Sequence, residues 1–140
     1  MSKLVEIANL HKIYAGGSTV AALKGVNLEI SRGEFTALAG PSGSGKSTLL
    51  NMIGTLDRPT KGTVSYEGRV VSSLDADPLS DFRLRSLGFV FQAYNLIPVL
   101  TAIENVEYPL VLRGIEPGER RRLAHEVLLW VGLEAYAERR

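Results

Sequence analysis

The stretch Gly40-Pro41-Ser42-Gly43-Ser44-Gly45-Lys46-Ser47 constrains this chain more than any other part of it. Two glycines with four residues between them, the second followed by Lys and Ser, form a pattern whose backbone cradles phosphate groups. The flanks agree. Phe35-Thr36-Ala37-Leu38-Ala39 is an apolar run long enough for a buried strand, and Lys46 to Ile53 reads as the first turns of a helix. A glycine-rich turn between strand and helix is the setting in which the pattern has a mechanism. Without side chains at Gly40, Gly43 and Gly45, backbone N–H groups can surround phosphate oxygens. The helix N-terminus directs partial positive charge at the same place. On this reading Pro41, Ser42, Ser44 and Thr48 complete the wall, Lys46 reaches the outer phosphates as a point charge, and Ser47 offers its hydroxyl to magnesium. A glycine-rich linker with a stray lysine is the bland alternative, and it explains neither flank. A dinucleotide fingerprint orders its glycines differently and gives Lys-Ser no role.

Composition bounds the rest. The 140 residues are 45% hydrophobic and 22% charged, with a net charge of +1, which suits one enzyme-like domain at most. Near-neutral charge gives no reason to expect a nucleic-acid partner, and Arg120-Arg121-Arg122 reads as one solvated helix face. With no cysteine, disulfides and thiolate metal sites are excluded. Met1 to Glu6 has no long apolar core of the signal-peptide kind. No window approaches the roughly 18 apolar residues that span a bilayer, so a membrane role needs other chains to supply the span.

Patterning predicts the elements. Leu4 to Leu10 alternates as a half-buried strand does. Ala15 to Ser18 is a turn, and Val20 to Ile30 reads as strand, turn and strand with a break at Lys24-Gly25. Ser31 to Glu34 turns the chain before the Phe35–Ala39 strand. Asp57 to Gly62 closes the first helix. Thr63–Tyr66 and Arg69–Val71 flank Glu67-Gly68 as a hairpin. Pro78 to Leu87 suits a helix with Asp77 as its N-cap. Gly88-Phe89-Val90-Phe91-Gln92 is a compact apolar strand. Thr101-Ala102-Ile103-Glu104 is a capping box opening a second helix, which Pro109 kinks or ends. Pro117 opens a third, with Leu123, Val127, Leu128 and Val131 at helical spacing. Val127 to Val131 therefore belongs to an amphipathic helix, not to a strand leading to Glu134. His11 and His125 lack metal-ligand spacing, and solvation and capping account for Asp75 and Asp77.

The phosphate loop, Gly88 to Gln92 and the early Tyr14 together resemble the nucleotide-binding subunit of an ATP-binding cassette transporter. Ala22 to Val26, Leu49 to Gly54, Leu56 to Gly62 and Gly88 to Pro98 resemble the branch that includes lipoprotein-releasing and macrolide-exporter ATPases. The likeness runs from about Val5 to the end. It implies an α/β phosphate-loop fold with an N-terminal antiparallel β subdomain, an incomplete parallel core sheet and the start of a helical subdomain. Residues 1–140 would then form a partial ATP-binding domain. In the family an aromatic residue at the place of Tyr14 stacks on adenine, although from the residues alone a packed core tyrosine is the favoured reading of Tyr14. Gln92 matches a glutamine that reaches magnesium and the attacking water, while its bland reading is a polar residue ending a strand. Tyr94, Leu96, Ile97 and Val99 match part of a groove that receives a short helix of the transmembrane permease. A loop tucked over the domain's own core explains them as readily. The implied cofactors are ATP and magnesium, and the implied partners are the permease and a second ATP-binding subunit. The implied place is the cytoplasmic face of the plasma membrane.

The likeness also departs from the family. No Leu-Ser-Gly-Gly-Gln type run, no apolar strand ending in Asp-Glu and no later histidine is present. Phosphoryl transfer needs groups on both sides of the γ-phosphate, so the expectation is ATP binding without the hydrolytic half. Phe35–Ala39 and Gly88–Gln92 are also expected to lack sheet neighbours, which predicts exposed apolar surface and low stability. Two other classes stay open. One is a nucleotide-binding remnant or regulator without turnover. The other is a different phosphate-loop protein, such as a small-molecule kinase or a DNA-repair cassette ATPase.

Overall fold

A computed structural model describes residues 2–17 and 19–140. Ser18, the last residue of the expected Ala15–Ser18 turn, lies outside the described residues. The chain divides into two compact units, one ending at Leu87 and the other spanning Gly88–Arg140.

In the first unit, β1 (Lys3–Tyr14), β2 (Val20–Ser31), β3 (Lys61–Tyr66) and β4 (Arg69–Val70) form an antiparallel sheet in the order β2-β1-β3-β4. Helix α1 (Lys46–Ile53) lies between β2 and β3 in sequence, and α2 (Ala76–Ser86) follows β4. Val5, Ile7, Leu10, Leu23, Leu49, Met52, Val64, Val71 and Leu79 make one core. Each fully buried aliphatic side chain there contributes about 1.5–3 kcal/mol relative to exposure. The Tyr66 hydroxyl donates to the Ile53 carbonyl at the end of α1 (2.5 Å), and burial pushes its pKa up to about 12. Its ring meets Phe82 of α2 edge-on, with centroids 5.0 Å apart.

Strict alternation would place Asn9, not Leu10, on the core face after Val5 and Ile7. One extra residue in β1 corrects this. From Ile7 to Leu10 the strand advances three residues while β2 advances two, from Leu28 to Val26. The same excess appears against β3, between Ala8 and His11. Asn9 takes the positive φ of 46° that the bulge requires, and Leu10 is completely buried. The Asn9 N–H, released from the ladder, donates to the Asn27 side chain (2.8 Å). On the other side Gly62 of β3, at φ 84°, lies directly against the bulge. A Cβ there would collide with the Asn9 carbonyl and sit 2.6 Å from that of Ala8. A matching irregularity in β2 falls at Gly25, so Val20–Ser31 is one bulged strand, not two strands around a turn.

Other expectations hold with small shifts. Helix α1 occupies Lys46–Ile53, and the Glu67-Gly68 hairpin forms with φ of 49° and 81° at the turn. Helix α2 begins at Ala76 with Asp75 as N-cap, so Asp77 stands in its first turn instead of capping it. Phe35–Ala39 and Gly88–Gln92 are not strands. Both runs pair with no strand among the described residues, and Phe35 and Val90 are fully exposed. An apolar run becomes a strand only when a neighbour accepts its backbone hydrogen bonds.

In the second unit α3 (Ala102–Leu112) packs against α4 (Pro117–Trp130). Ile103, Ala124, Leu128 and Ala137 form its core, and a short 3₁₀ turn, Glu134–Tyr136, follows α4. The expected capping box is present at Thr101 and Glu104. Pro109 sits inside α3 without ending it, and the Arg113 N–H still reaches the Pro109 carbonyl (3.2 Å). Of the expected helical apolar set, Leu128 in α4 is buried, Val127 in α4 is exposed, and the exposed Val131 follows the helix as its C-cap.

Asn105 governs the segment before α3. Its Oδ1 accepts from the Ile97 N–H (2.8 Å), and its Nδ2 donates to the carbonyls of Ile97 (3.2 Å), Leu100 (3.2 Å) and Thr101 (2.9 Å).

Two outcomes are expected. Gly62→Ala lowers stability by about 2–4 kcal/mol, because the methyl group meets backbone on a strand that cannot yield; the urea midpoint measures it. Asn105→Ala accelerates amide hydrogen exchange at Ile97 by at least about tenfold, following loss of a part-buried bond.

Candidate functional site

The chain leaves β2 through a turn in which the Glu34 N–H donates to the Ser31 carbonyl (3.2 Å) and the Glu34 carboxylate accepts from the Ser31 N–H (2.8 Å). It then runs to the Gly40–Ser47 loop. Gly45 ends the loop at φ 94° and is the N-cap of α1. A Cβ on Gly45 would lie 2.7 Å from the Ala22 carbonyl oxygen and 3.2 Å from Leu23 Cδ2, so the loop rests directly on β2. The Ser44 N–H donates to the Pro41 carbonyl (3.3 Å), and the Leu49 N–H to that of Gly45 (2.8 Å). Leu49 and Met52 bury the inner face of α1 and fix its direction.

Helix α1 has no side-chain cap and no acidic residue in its first turn. Its first N–H groups have no intrahelical acceptor, and they carry the positive end of the helix dipole. Lys46 adds a full charge. Its Nζ donates to the carbonyls of Gly40 and Pro41, both at 2.8 Å, and stands 3.5 Å from Ser44 Oγ. A cavity of about 320 Å³ adjoins the loop, lined in part by Leu23, Leu38, Gly40, Pro41, Ser44 and Lys46. Ser42, Gly43 and Ser47 are exposed and Thr48 is half-buried. Backbone donors, a helix terminus and an ammonium group converge where no carboxylate opposes an anion. This donor set fits a chain of phosphate groups. Among the described residues no group of three or more His, Cys, Asp or Glu gathers to hold a metal ion. At this loop the exposed Ser47 Oγ is one side-chain oxygen that magnesium could use, with the phosphates supplying others.

Tyr14 ends β1 and is not a core residue, being 40% exposed. Its hydroxyl donates to Asp57 Oδ2 (3.0 Å), and the Lys12 ammonium stands 4.8 Å from the centre of its ring. Lys12 Nζ also donates to Asp57 Oδ1 (2.7 Å) and to the Arg58 carbonyl (2.8 Å). Burial raises the pKa of the Asp57 carboxyl, but bonds from Lys12, the Arg58 N–H and Tyr14 outweigh it and hold it below the ordinary carboxylate range. Sequence reasoning did not find Lys12 and Asp57. They lie 45 residues apart, and nothing in their spacing announces the pair.

The second unit carries Gln92 on an exposed coil just after Phe89 and Phe91, whose rings stack at 5.5 Å. Tyr94, Leu96 and Val99 are 93%, 65% and 71% exposed. Ile97 is half-buried, its backbone held by Asn105. A groove of about 260 Å³ runs beside this segment, lined in part by Leu96, Ile97, Leu100, Tyr136 and Arg139. Asn105 was also missed in sequence, because an asparagine one residue beyond a capping box has no signature of its own.

Residues 23–140 match the ABC transporter family. The chain is 52% identical over 134 residues to an uncharacterized ABC transporter ATP-binding protein of Thermotoga maritima, covering 95% of this chain and 57% of that one. It is 48% identical to the lipoprotein-releasing system ATP-binding protein of Geobacter metallireducens, covering 95% and 60%. The structure is similar to that of a Methanocaldococcus jannaschii ATP-binding cassette, solved as a dimer in a post-hydrolysis state bound to ADP and Pi. That likeness has a TM-score of 0.88 and 47% identity, and covers 96% of this chain and 60% of the other. The chain thus spans roughly three-fifths of the length of these relatives. It belongs to the ABC transporter family, as a portion of an ATP-binding cassette with the α/β fold of that family.

Proposed function

We propose that residues 1–140 are the part of an ABC transporter ATP-binding domain that captures MgATP, within an ATPase that drives export or extraction of a substrate across or from a membrane. The observation that carries this reading is the loop itself. Gly45 is pressed on β2, the N-terminus of α1 is uncapped, and the Lys46 ammonium is held over the Gly40 and Pro41 carbonyls. Gly40 to Thr48 bind the phosphates, with Lys46 exchanging two neutral carbonyls for a polyanion, which strengthens its hydrogen bonds. Ser47 binds magnesium, and the face of Tyr14 receives the base. Magnesium, when bound, neutralises charge on the phosphates. Gln92 senses the metal and the attacking water in the whole-length protein. Tyr94, Leu96, Ile97 and Val99 dock the permease, and a second ATP-binding subunit completes the assembly at the cytoplasmic face of the membrane. Among the described residues no helix is long and apolar enough to cross a membrane.

A second reading is favoured by the unpaired Phe35–Ala39 and Gly88–Gln92 runs: a nucleotide-binding module that holds ATP without turning it over. Purified chain that releases phosphate from MgATP, with release lost in Lys46→Ala, would exclude it. The principal test is calorimetric titration with MgATP. Lys46→Ala is expected to weaken binding by about tenfold or more, since a charged hydrogen-bonding partner of the phosphates is lost. Unchanged affinity in the variant would overturn the site.

A further inference from the structure

We propose that Asp57 and Lys12 are positioning residues that hold the Tyr14 ring in the orientation needed to stack on a nucleobase, a role that rests on the proposed use of Tyr14. A tyrosine at a strand end turns about two side-chain torsions, so a 40% exposed ring has no fixed plane of its own. Here two contacts fix it. The hydroxyl is tethered to Asp57 Oδ2 at 3.0 Å, and the Lys12 ammonium lies over the ring, 4.8 Å from its centre. A cation on a ring face is itself a favourable contact. It also occupies that face, so a base is directed to the opposite one.

The two positioning groups are themselves fixed. Lys12 and Asp57 bond at 2.7 Å, with side chains 13% and 31% exposed, so solvent screens the pair less than a surface ion pair. Lys12 is further tied to the Arg58 carbonyl, and Asp57 Oδ1 accepts from the Arg58 N–H (2.7 Å). The segment after α1 is thereby fastened to the end of β1. A preset ring loses little conformational freedom when a base arrives, and reduced ordering cost appears as affinity.

The test separates the base from the phosphates. Affinities for MgATP and for magnesium tripolyphosphate are measured by calorimetry in the wild-type chain and in Tyr14→Ala, Tyr14→Phe and Asp57→Ala, and the readout is their ratio. General damage to the fold weakens both ligands and leaves the ratio alone. Loss of the ring is expected to lower the ATP preference by about tenfold, the scale of one base–aromatic stack. Tyr14→Phe keeps the ring and removes only the tether, and Asp57→Ala removes its anchor. Each is expected to lower the preference by roughly threefold, the scale of one hydrogen bond. A wild-type ratio in both, with the preference lost in Tyr14→Ala, overturns the positioning role while stacking stands. No preference for ATP in the wild type, or none lost in Tyr14→Ala, overturns stacking and positioning together. Failure to bind tripolyphosphate at all overturns the phosphate-loop reading on which both depend.

Discussion

Gly45 touches the Ala22 carbonyl of β2 at a distance no other residue type could reach, and the first unit is arranged around that contact. It sets where the loop lies on the sheet and where α1 begins. It also decides which way the first N–H groups of the helix point. A second contact of the same kind, Gly62 against the bulge at Asn9, sets the register of β1 and β3. Through that register Leu10 enters the core beside Val5 and Ile7. Chemistry at the loop and packing under the sheet thus rest on places where one backbone meets another with nothing between them.

The proposed phosphate-binding loop was more legible in the sequence than the sheet around it. Phosphate binding by backbone is a local property, carried by consecutive residues. The start of α1, the Glu67-Gly68 turn and the Thr101–Glu104 capping box are local too, and they stand where patterning put them, although α1 ends at Ile53, before the expected close at Asp57–Gly62. Pairing is not local. Phe35–Ala39 and Gly88–Gln92 have the composition of buried strands and no partner among the described residues, so composition alone misassigned them. Lys24-Gly25 carries the composition of a turn, yet the ladder to β1 continues through it as a bulge. Asp77 lost the capping position to Asp75 by two residues, the usual uncertainty of a helix end.

Side-chain constellations were the least legible of all. Lys12, Tyr14 and Asp57 meet because β1 and the segment after α1 are brought side by side, a fact of topology. Exposure of Tyr14, Leu96 and Val99 could not be read from residue type, since apolar side chains of these kinds are as common in cores. The family likeness supplied expectations for these residues that patterning could not.

If the segment before α3 docks a partner as proposed, the four hydrogen bonds of Asn105 also bear on how quickly it engages. A floppy apolar loop presents its side chains in many arrangements, and most encounters with it are wasted. Here the backbone from Ile97 to Thr101 is pinned while Leu96 and Val99 stay bare. Association at such a surface is limited by diffusion and orientation, not by a search among loop shapes, and recognition there comes to depend on fit.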